Sequence, residues 1–156
     1  MGRIFVISDL HLGHKNMATK RGFDSVEEHD NFIISQWNKV VLKKDTVWIL
    51  GDITMEKSAP YQLLDKLNGY KKVVLGNHDQ PQHSKKLLNY VNSVCGMTKY
   101  KGLILSHCPI HERELEIFGC KNIHGHVHEK SLDDSRYINV SCEAVNYTPV
   151  PIDSLI

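Results

Sequence analysis

The sequence lacks long apolar runs and paired-cysteine motifs. No stretch approaches the roughly 18 consecutive apolar residues of a membrane-spanning helix, which argues against a membrane protein. The first residues, Met1-Gly2-Arg3, run directly into the strand-like segment Ile4–Ile7 and do not resemble a signal peptide. No C-x-x-C pair occurs among the cysteines, which are Cys95, Cys108, Cys120 and Cys142. These absences predict a cytoplasmic protein whose thiols are reduced.

The sequence also lacks an excess of charge of either sign. Its 19 Lys and Arg residues and 18 Asp and Glu residues leave a net charge of +1. A protein that grips long nucleic acid usually carries a clear basic excess, so long nucleic acid is not the expected partner. The length of 156 residues suits one compact domain, which we predict over residues 1–156.

Apolar segments alternate with polar loops and amphipathic segments. The apolar segments predict buried strands over residues 3–8, 46–50, 72–75, 103–106 and 137–141. Amphipathic periodicity predicts a helix over 26–41, which a Ser25–Glu28 capping box opens. Two further helices are predicted, one capped by Ser58 and running to residue 67, the other over 84–91, whereas 112–114 is read as part of a polar loop. This alternation predicts an α/β fold.

Polar clusters follow the predicted strands. They are Asp9-Leu10-His11, Gly51-Asp52, Gly76-Asn77-His78-Asp79, Ser106-His107 and Gly125-His126-Val127-His128. In α/β sheets, sites are built where strands end. Carboxylate, imidazole and amide groups bind divalent metals, and two such metals about 3.5–4 Å apart can clamp both oxygens of a phosphoryl displacement. Any one cluster could be an ordinary turn, but together they predict a dinuclear metal site.

The order D-x-H, G-D, G-N-H-D, H and G-H-x-H resembles the calcineurin-like metallophosphoesterase superfamily, and the opening motif is similar to small phosphoesterases of bacteria and phages. The resemblance runs from Asp9 to His128. It implies a two-sheet α/β sandwich flanked by helices, in four layers. The strand–helix alternation agrees with that architecture but by itself also fits a single doubly wound sheet.

The resemblance implies a role for each metal ligand. Asp9, His11 and His128 would bind the first metal. Asp52 would bridge both metals, since its two oxygens can each face one cation. The remaining ligands would bind the second metal and are Asn77, His107 and His126. Manganese is the favoured ion, and Fe, Zn, Co or Ni are alternatives, because oxygen and imidazole ligands accept all of them.

The resemblance also implies the catalytic residues. His78 would act on the substrate phosphate as general acid or charge stabiliser, because the pKa of a histidine lies near the working pH range. Asp79 would orient His78 through a hydrogen bond. The nucleophile would be water activated by the metals.

Other polar residues are weaker candidates. His14 could contact the substrate phosphate or be a loop residue. Arg113 could be a phosphate fork, although a solvent-facing arginine is the simpler interpretation. Cys108 follows His107 directly, and alternation along a strand would point it to the opposite face. Structural or surface roles are expected for the remaining histidines, which are His29, His83, His111 and His124.

The predicted function is hydrolysis of a small phosphodiester or nucleotide by metal-activated water, because the short chain leaves little room for a cap or substrate groove. The alternatives are a phosphomonoesterase or protein phosphatase, a nuclease, and a non-catalytic metal-binding interaction scaffold of the same fold. His78 separates the scaffold from the enzymes, because a scaffold related to this superfamily lacks the catalytic histidine and this sequence keeps it.

Overall fold

A computed structural model describes residues 1–156. The strands are β1 (Ile4–Ile7), β2 (Thr46–Ile49), β3 (Tyr70–Val74), β4 (Ser93–Cys95), β5 (Thr98–Tyr100), β6 (Leu103–Leu105), β7 (Lys121–His124), β8 (Tyr137–Asn139) and β9 (Val150–Pro151). The α-helices are α1 (Lys15–Lys20), α2 (Val26–Val40), α3 (Ser84–Leu87) and α4 (Glu112–Phe118). Short 3₁₀ helices cover Tyr61–Lys66, Pro81–His83 and Ile152–Leu155. No helix has the length and apolar character that crossing a membrane requires.

The strands form two mixed sheets. The first sheet has the order β4-β3-β2-β1-β9, in which β9 is antiparallel to β1 and the other pairs are parallel. The second sheet has the order β5-β6-β7-β8, in which only the β5–β6 pair is antiparallel. Parallel neighbours end at the same edge of a sheet, so the loops after β1, β2 and β3 meet, as do those after β6 and β7. The predicted two-sheet α/β architecture is confirmed.

The core lies on both faces of the first sheet. Successive residues of a strand point to opposite faces, and β1 shows the consequence. Phe5 and Ile7 join a cluster that contains Trp37 of α2, whereas Val6 joins a cluster that contains Leu105 and Ile123 of the second sheet. The first sheet therefore packs against α2 on one side and against the second sheet on the other.

Helix α2 closely matches the sequence prediction. The Ser25 side chain accepts a hydrogen bond from the Glu28 amide at 3.0 Å, so the predicted cap is formed. Ile33 and Trp37 point into the core, and the Trp37 indole donates to the Asn68 carbonyl at 2.9 Å. Apolar residues at this spacing produce one buried helix face, which explains why the prediction was accurate.

Several shorter elements differ from the predictions. The predicted helix after Ser58 is a 3₁₀ helix over Tyr61–Lys66, and the predicted helix over 84–91 is α-helical only in α3. The predicted loop at 112–114 is the first turn of α4. The His111 side chain caps α4 by accepting from the Arg113 amide at 3.2 Å. Histidine is not among the usual capping residues, so this helix start gave no clear sequence signal.

Candidate metal centre

The predicted ligand clusters meet at one edge of the two sheets. The loops after β1 and β2 run side by side, with the Asp9 amide donating to the Gly51 carbonyl and the His11 amide to the Asp52 carbonyl, both at 3.0 Å. The Ser8 amide donates to the Val140 carbonyl at 2.9 Å, which links β1 to the chain just after β8. These main-chain bonds place ligands from the first sheet beside ligands from the second.

The backbone at this edge is strained. Most predicted ligands have a positive φ, a region that non-glycine residues rarely occupy. The values are 60° at Asp9, 49° at His11, 52° at Asp52, 71° at His126 and 52° at His128. Such conformations cost about 1–3 kcal/mol each and cluster at functional sites, where the surrounding structure holds them. Main-chain hydrogen bonds between the loops stabilise these conformations.

Close backbone contacts explain the glycines of the clusters. A Cβ atom on Gly51 would lie 2.5 Å from the Gly76 amide nitrogen, closer than real Cβ contacts allow. A Cβ atom on Gly125 would collide with Ser8 Oγ and with the Asp9 carboxylate. Glycine at these positions therefore allows the loops to pack closely enough to bring the ligands together.

Asp9, His11 and His128 form one candidate metal-binding group. Asp9 Oδ1 lies 3.8 Å from His11 Nε2 and 3.7 Å from His128 Nε2. Both Asp9 Oδ1 and His11 Nε2 are buried and have no hydrogen-bond partner. Burial raises the pKa of the Asp9 carboxyl, but contact with His11 and the charge of His107 outweigh it and hold that pKa well below its usual range. Burial lowers the pKa of His11, which favours the neutral imidazole that binds metals.

Asp52, Asn77, His107 and His126 form a second, tighter group. His107 Nε2 lies 3.3 Å from Asp52 Oδ2, 2.9 Å from Asn77 Oδ1 and 3.3 Å from His126 Nδ1. His107 Nδ1 lies 2.7 Å from the Leu50 carbonyl, so the outer nitrogen donates and Nε2 faces the group. Burial lowers the pKa of His107, but contact with Asp52 outweighs it and raises that pKa to about 8. A cation binds the deprotonated ring, so the raised pKa would oppose metal binding as the pH falls.

Asp52 belongs to both groups. Its Oδ2 lies 3.7 Å from His11 Nε2 and 3.3 Å from His107 Nε2. Its Oδ1 accepts a hydrogen bond from the His78 amide at 2.9 Å. Asp52 therefore lies between the two groups, but the same oxygen faces both, whereas the expectation assigned one oxygen to each cation.

His78 lies beside the centre, with its side chain 42% exposed. The predicted hydrogen bond from Asp79 is absent. Both Asp79 oxygens instead accept main-chain amides, from Asp52 at 2.7 Å, Gly76 at 2.8 Å and Ile53 at 3.0 Å. The carboxylate near the His78 ring belongs to Glu56, whose Oε1 lies 3.4 Å from His78 Nδ1. Asp79 therefore joins the loops after β2 and β3. Glu56, and not Asp79, is the carboxylate beside the His78 ring.

His14 and Arg113 are not equally close to the centre. His14 Nδ1 caps α1 by accepting from the Met17 amide at 3.2 Å, and its Nε2 lies 3.7 Å from Glu56 Oε2. Its ring centroid is 5.5 Å from that of His11. Arg113 is exposed on α4 and makes no hydrogen bond or ion pair with any predicted ligand. His14 thus has a structural role next to the centre, whereas Arg113 stands apart from it.

Glu143 and Arg21 support the centre and were not predicted. Glu143 Oε2 lies 3.0 Å from His128 Nδ1, and Glu143 Oε1 accepts from Arg21 Nε at 2.5 Å. Arg21 also donates to the Asp9 carbonyl at 2.7 Å and to the Leu10 carbonyl at 3.1 Å. An acidic residue just after a late strand was the only sequence signal for Glu143, and it was too weak to single the residue out.

Buried polar contacts surround His29 and His124, as a structural role requires, whereas Cys108 differs from its prediction. His29 is buried and lies 2.8 Å from Asp30 Oδ1, and His124 is buried with Nδ1 2.9 Å from the Gly125 carbonyl. The expectation that Cys108 faces away from His107 was wrong. Its sulfur lies with ring nitrogens of His107 and His126, all within 4.8 Å of one another. The rule of alternation did not apply, because β6 ends at Leu105.

The fold and the centre together define an α/β protein with candidate ligands for two metals at the shared edge of its sheets. The profile of the calcineurin-like phosphoesterase family matches residues 2–147, and the chain belongs to this family of hydrolases that act on phosphate esters. The predicted resemblance is confirmed.

Similar proteins cover the whole chain. It is 34% identical over 168 residues to the uncharacterized protein MJ1445 of Methanocaldococcus jannaschii, an alignment that spans 100% of this chain and 90% of that protein. It is 28% identical over 192 residues to the Gene 66 protein of Mycobacterium phage D29, spanning 99% of this chain and 94% of the phage protein. The crystal structure of AQ665 from Aquifex aeolicus, a protein of unknown function, is 28% identical and superposes with a TM-score of 0.75 over 100% of both chains.

Proposed function

We propose that this chain is a dinuclear metal-dependent phosphodiesterase that acts on small phosphodiesters or nucleotides. The observation that carries the proposal is the buried pair Asp9 Oδ1 and His11 Nε2, which lies beside the Asp52 carboxylate without hydrogen-bond partners. A buried polar atom without a partner costs about 1–3 kcal/mol. A divalent cation bound by these atoms would remove that cost, so the residues present fit a metal.

The two candidate groups divide the ligands between two positions. Asp9, His11, Asp52 and His128 would hold the first cation, and the second would be held by Asp52, Asn77, His107 and His126. Cations at these positions would lower the pKa of a water molecule and offset the negative charge of a phosphate. Manganese is the favoured ion for activity, and Fe, Zn, Co and Ni are the alternatives that the ligand set also accepts.

In this proposal His78 donates a proton to the leaving oxygen. Its main chain is held by the hydrogen bond to Asp52, and its ring lies near Glu56 and reaches solvent. A proton donor positioned in this way typically contributes about 10²–10⁴-fold to a rate.

The charges around the centre support a diester rather than a monoester. A monoester dianion is commonly held by the fork of an arginine. Arg21 is the arginine in contact with the centre, and its guanidinium is already bonded to Glu143 and to the Asp9 and Leu10 carbonyls. A diester carries a single negative charge and therefore needs no free arginine to bind it. The net charge of +1 supports a small substrate rather than long nucleic acid.

The four cysteines are all free thiols, which supports a reducing compartment and the cytoplasmic location that we include in the proposal.

The test compares bis-p-nitrophenyl phosphate with p-nitrophenyl phosphate, using protein stripped of metal and refilled with Mn²⁺. We expect turnover of the diester that requires Mn²⁺. Asp52→Asn should weaken binding at both positions and abolish turnover. His78→Ala should keep the metals and lower the rate by about 10²–10⁴-fold on a diester with an alkoxide leaving group, with a smaller loss on bis-p-nitrophenyl phosphate, whose p-nitrophenolate leaves without protonation. His111→Ala changes an exposed histidine that caps α4 and should leave the rate unchanged.

Selective turnover of the monoester would replace the proposal with a phosphatase. Bound metal without turnover of either substrate would make a non-catalytic scaffold the better interpretation. Loss of metal in His78→Ala would show that its role is coordination rather than proton transfer.

A further inference from the structure

Cys108 is the thiol that lies among the predicted metal ligands. The chain leaves β6 at Leu105, and Ser106 Oγ donates a hydrogen bond to the Cys108 carbonyl at 2.7 Å. The backbone bends at His107 and Cys108, and Cys108 lies near His107. Its sulfur and one ring nitrogen each of His107 and His126 lie within 4.8 Å of one another. None of the other cysteines belongs to a candidate ligand group.

These separations are close to what a shared metal requires. Nitrogen at about 2.0–2.1 Å and sulfur at about 2.3 Å from one metal can be at most about 4.4 Å apart. His107 is not free to move, because it is 4% exposed and its Nδ1 is bonded to the Leu50 carbonyl. Cys108 is exposed and forms no disulfide, so rotation of its side chain between staggered positions can bring the sulfur within this limit.

We propose that Cys108 is a sulfur ligand of the second cation, beside His107 and His126. The inference rests on the metal centre of the proposed function and adds a ligand to it. On binding, the thiol proton passes to solvent and the thiolate sulfur forms a bond with the cation. The first position, with Asp9, His11 and His128, has no sulfur beside it.

This difference gives the two positions different metal preferences. Thiolate ligands select softer ions such as Zn²⁺, whereas carboxylate and imidazole ligands also accept Mn²⁺. Zn²⁺ binds more tightly than Mn²⁺ at either kind of site, so we expect the second position to favour Zn²⁺ over Mn²⁺ by a larger factor than the first position does.

The test is the absorption spectrum of the full chain during titration with Co²⁺, which takes the place of Zn²⁺ and is coloured. A sulfur–cobalt bond gives a charge-transfer band in the near ultraviolet that nitrogen and oxygen ligands do not give. We expect this band in the wild-type protein with one of two bound Co²⁺ ions. Cys108→Ser should abolish the band and keep the visible Co²⁺ bands. Cys120→Ser is the matched control, because Cys120 lies outside every candidate ligand group, and it should keep the near-ultraviolet band.

A second readout is competition between metals. We expect Cys108→Ser to lower the preference of the second position for Zn²⁺ over Mn²⁺ by about tenfold, at the lower end of what altering a metal site costs. Superimposable Co²⁺ spectra of the wild type and Cys108→Ser, with both ions bound, would overturn the inference and leave the proposed function standing. Failure to bind Co²⁺, Zn²⁺ or Mn²⁺ at all would overturn both. A sulfur band in protein that turns over no phosphodiester would support the inference alone.

Discussion

Glu143 lies behind the proposed first cation position and contacts His128, one of the predicted ligands. Its carboxylate contacts His128 Nδ1 and leaves Nε2 facing Asp9. Carboxylates placed behind a ligating histidine orient the ring and raise its basicity, and their loss typically costs about 10–100-fold in metal affinity or activity. We therefore expect Glu143→Gln to weaken Mn²⁺ binding by about 10–100-fold, measured by titration against a competing chelator.

The control for this change is Glu116→Gln, which makes the same substitution on the exposed face of α4. Its Mn²⁺ affinity should equal that of the wild type. An unchanged affinity in Glu143→Gln would show that His128 needs no carboxylate behind it or is not a ligand.

Glu56 is the corresponding carboxylate for His78. Its Oε1 lies 3.4 Å from His78 Nδ1, and its Oε2 is buried without a hydrogen-bond partner. Glu56→Gln removes the charge while keeping the size, so we expect kcat to fall with metal content unchanged, by less than the about 10²–10⁴-fold loss expected when His78 itself is removed. The loss should be greater for a diester with an alkoxide leaving group than for p-nitrophenolate, which departs without protonation. Equal losses on both leaving groups would contradict a role through His78.

For individual residues, the sequence identifies the candidate ligands better than the residues that hold those ligands in position. The predicted ligands stand in short motifs after strands, so spacing along the chain was enough to find them as candidates. The contacts of Glu143 with His128 and Arg21 join residues 15 and 122 positions apart, and no local pattern records them. The positive φ at Asp9 and His126 could not be predicted either, because it results from bonds between separate loops.

At the scale of elements, Asp45 holds the connection between α2 and β2. Its carboxylate accepts the Leu42 and Arg3 amides, each at 2.8 Å, and contacts the Arg3 guanidinium. Burial raises the pKa of Asp45, but these hydrogen bonds outweigh it and lower the pKa below its usual value. A lowered pKa means that the ionised form stabilises the fold above the unfolded-state value near pH 3.9, and that this contribution is lost as the pH falls through the folded-state pKa.

We therefore expect Asp45→Asn to lower the free energy of unfolding at pH 7 by about 1–3 kcal/mol, because an amide group cannot accept both main-chain bonds. The difference from the wild type should shrink progressively below about pH 4, as measured by urea unfolding. Asp153→Asn, at a carboxylate whose side chain is 70% exposed, should change little at either pH. A difference that stays constant down to pH 3 would contradict the assigned role of the Asp45 charge.

How well each helix or strand was predicted depends on its length and on how continuously apolar it is. The 15 residues of α2 give several turns of periodic signal and a capping box, and β1 and β2 are largely apolar runs. Strand β3 begins at Tyr70, two residues before the predicted start, because Lys71 and Lys72 interrupt the apolar pattern. Strands β4 (SVC) and β5 (TKY) contain polar residues and were not predicted, whereas β6 (LIL) is equally short but wholly apolar and was predicted. The pairing of β4 and β5 depends on partners elsewhere in the chain. The 3₁₀ helix over Tyr61–Lys66 shares the apolar spacing of an α-helix over one turn, which the sequence could not separate.

For the whole molecule, the centre joins the two sheets. Asp9, His11, Asp52 and Asn77 follow strands of the first sheet, whereas the other predicted ligands, His107, His126 and His128, follow strands of the second. A bound cation would therefore connect both sheets, and the unfolded chain would lack that arrangement of ligands. Anything that binds only the folded state stabilises it, by about 2.7 kcal/mol when its concentration is 100 times Kd.

We expect removal of metal with a chelator to lower Tm by about 5–10 °C relative to Mn²⁺-loaded protein, given the size of the chain. Asp52→Asn should reduce this difference sharply, because Asp52 lies between both positions, whereas Asp153→Asn should keep it whole. The measurement is thermal unfolding followed by circular dichroism, with the Mn²⁺ concentration varied. A Tm that does not respond to Mn²⁺ in the wild type would mean that the strained edge is held by its main-chain bonds alone and that cations do not bind across the sheets.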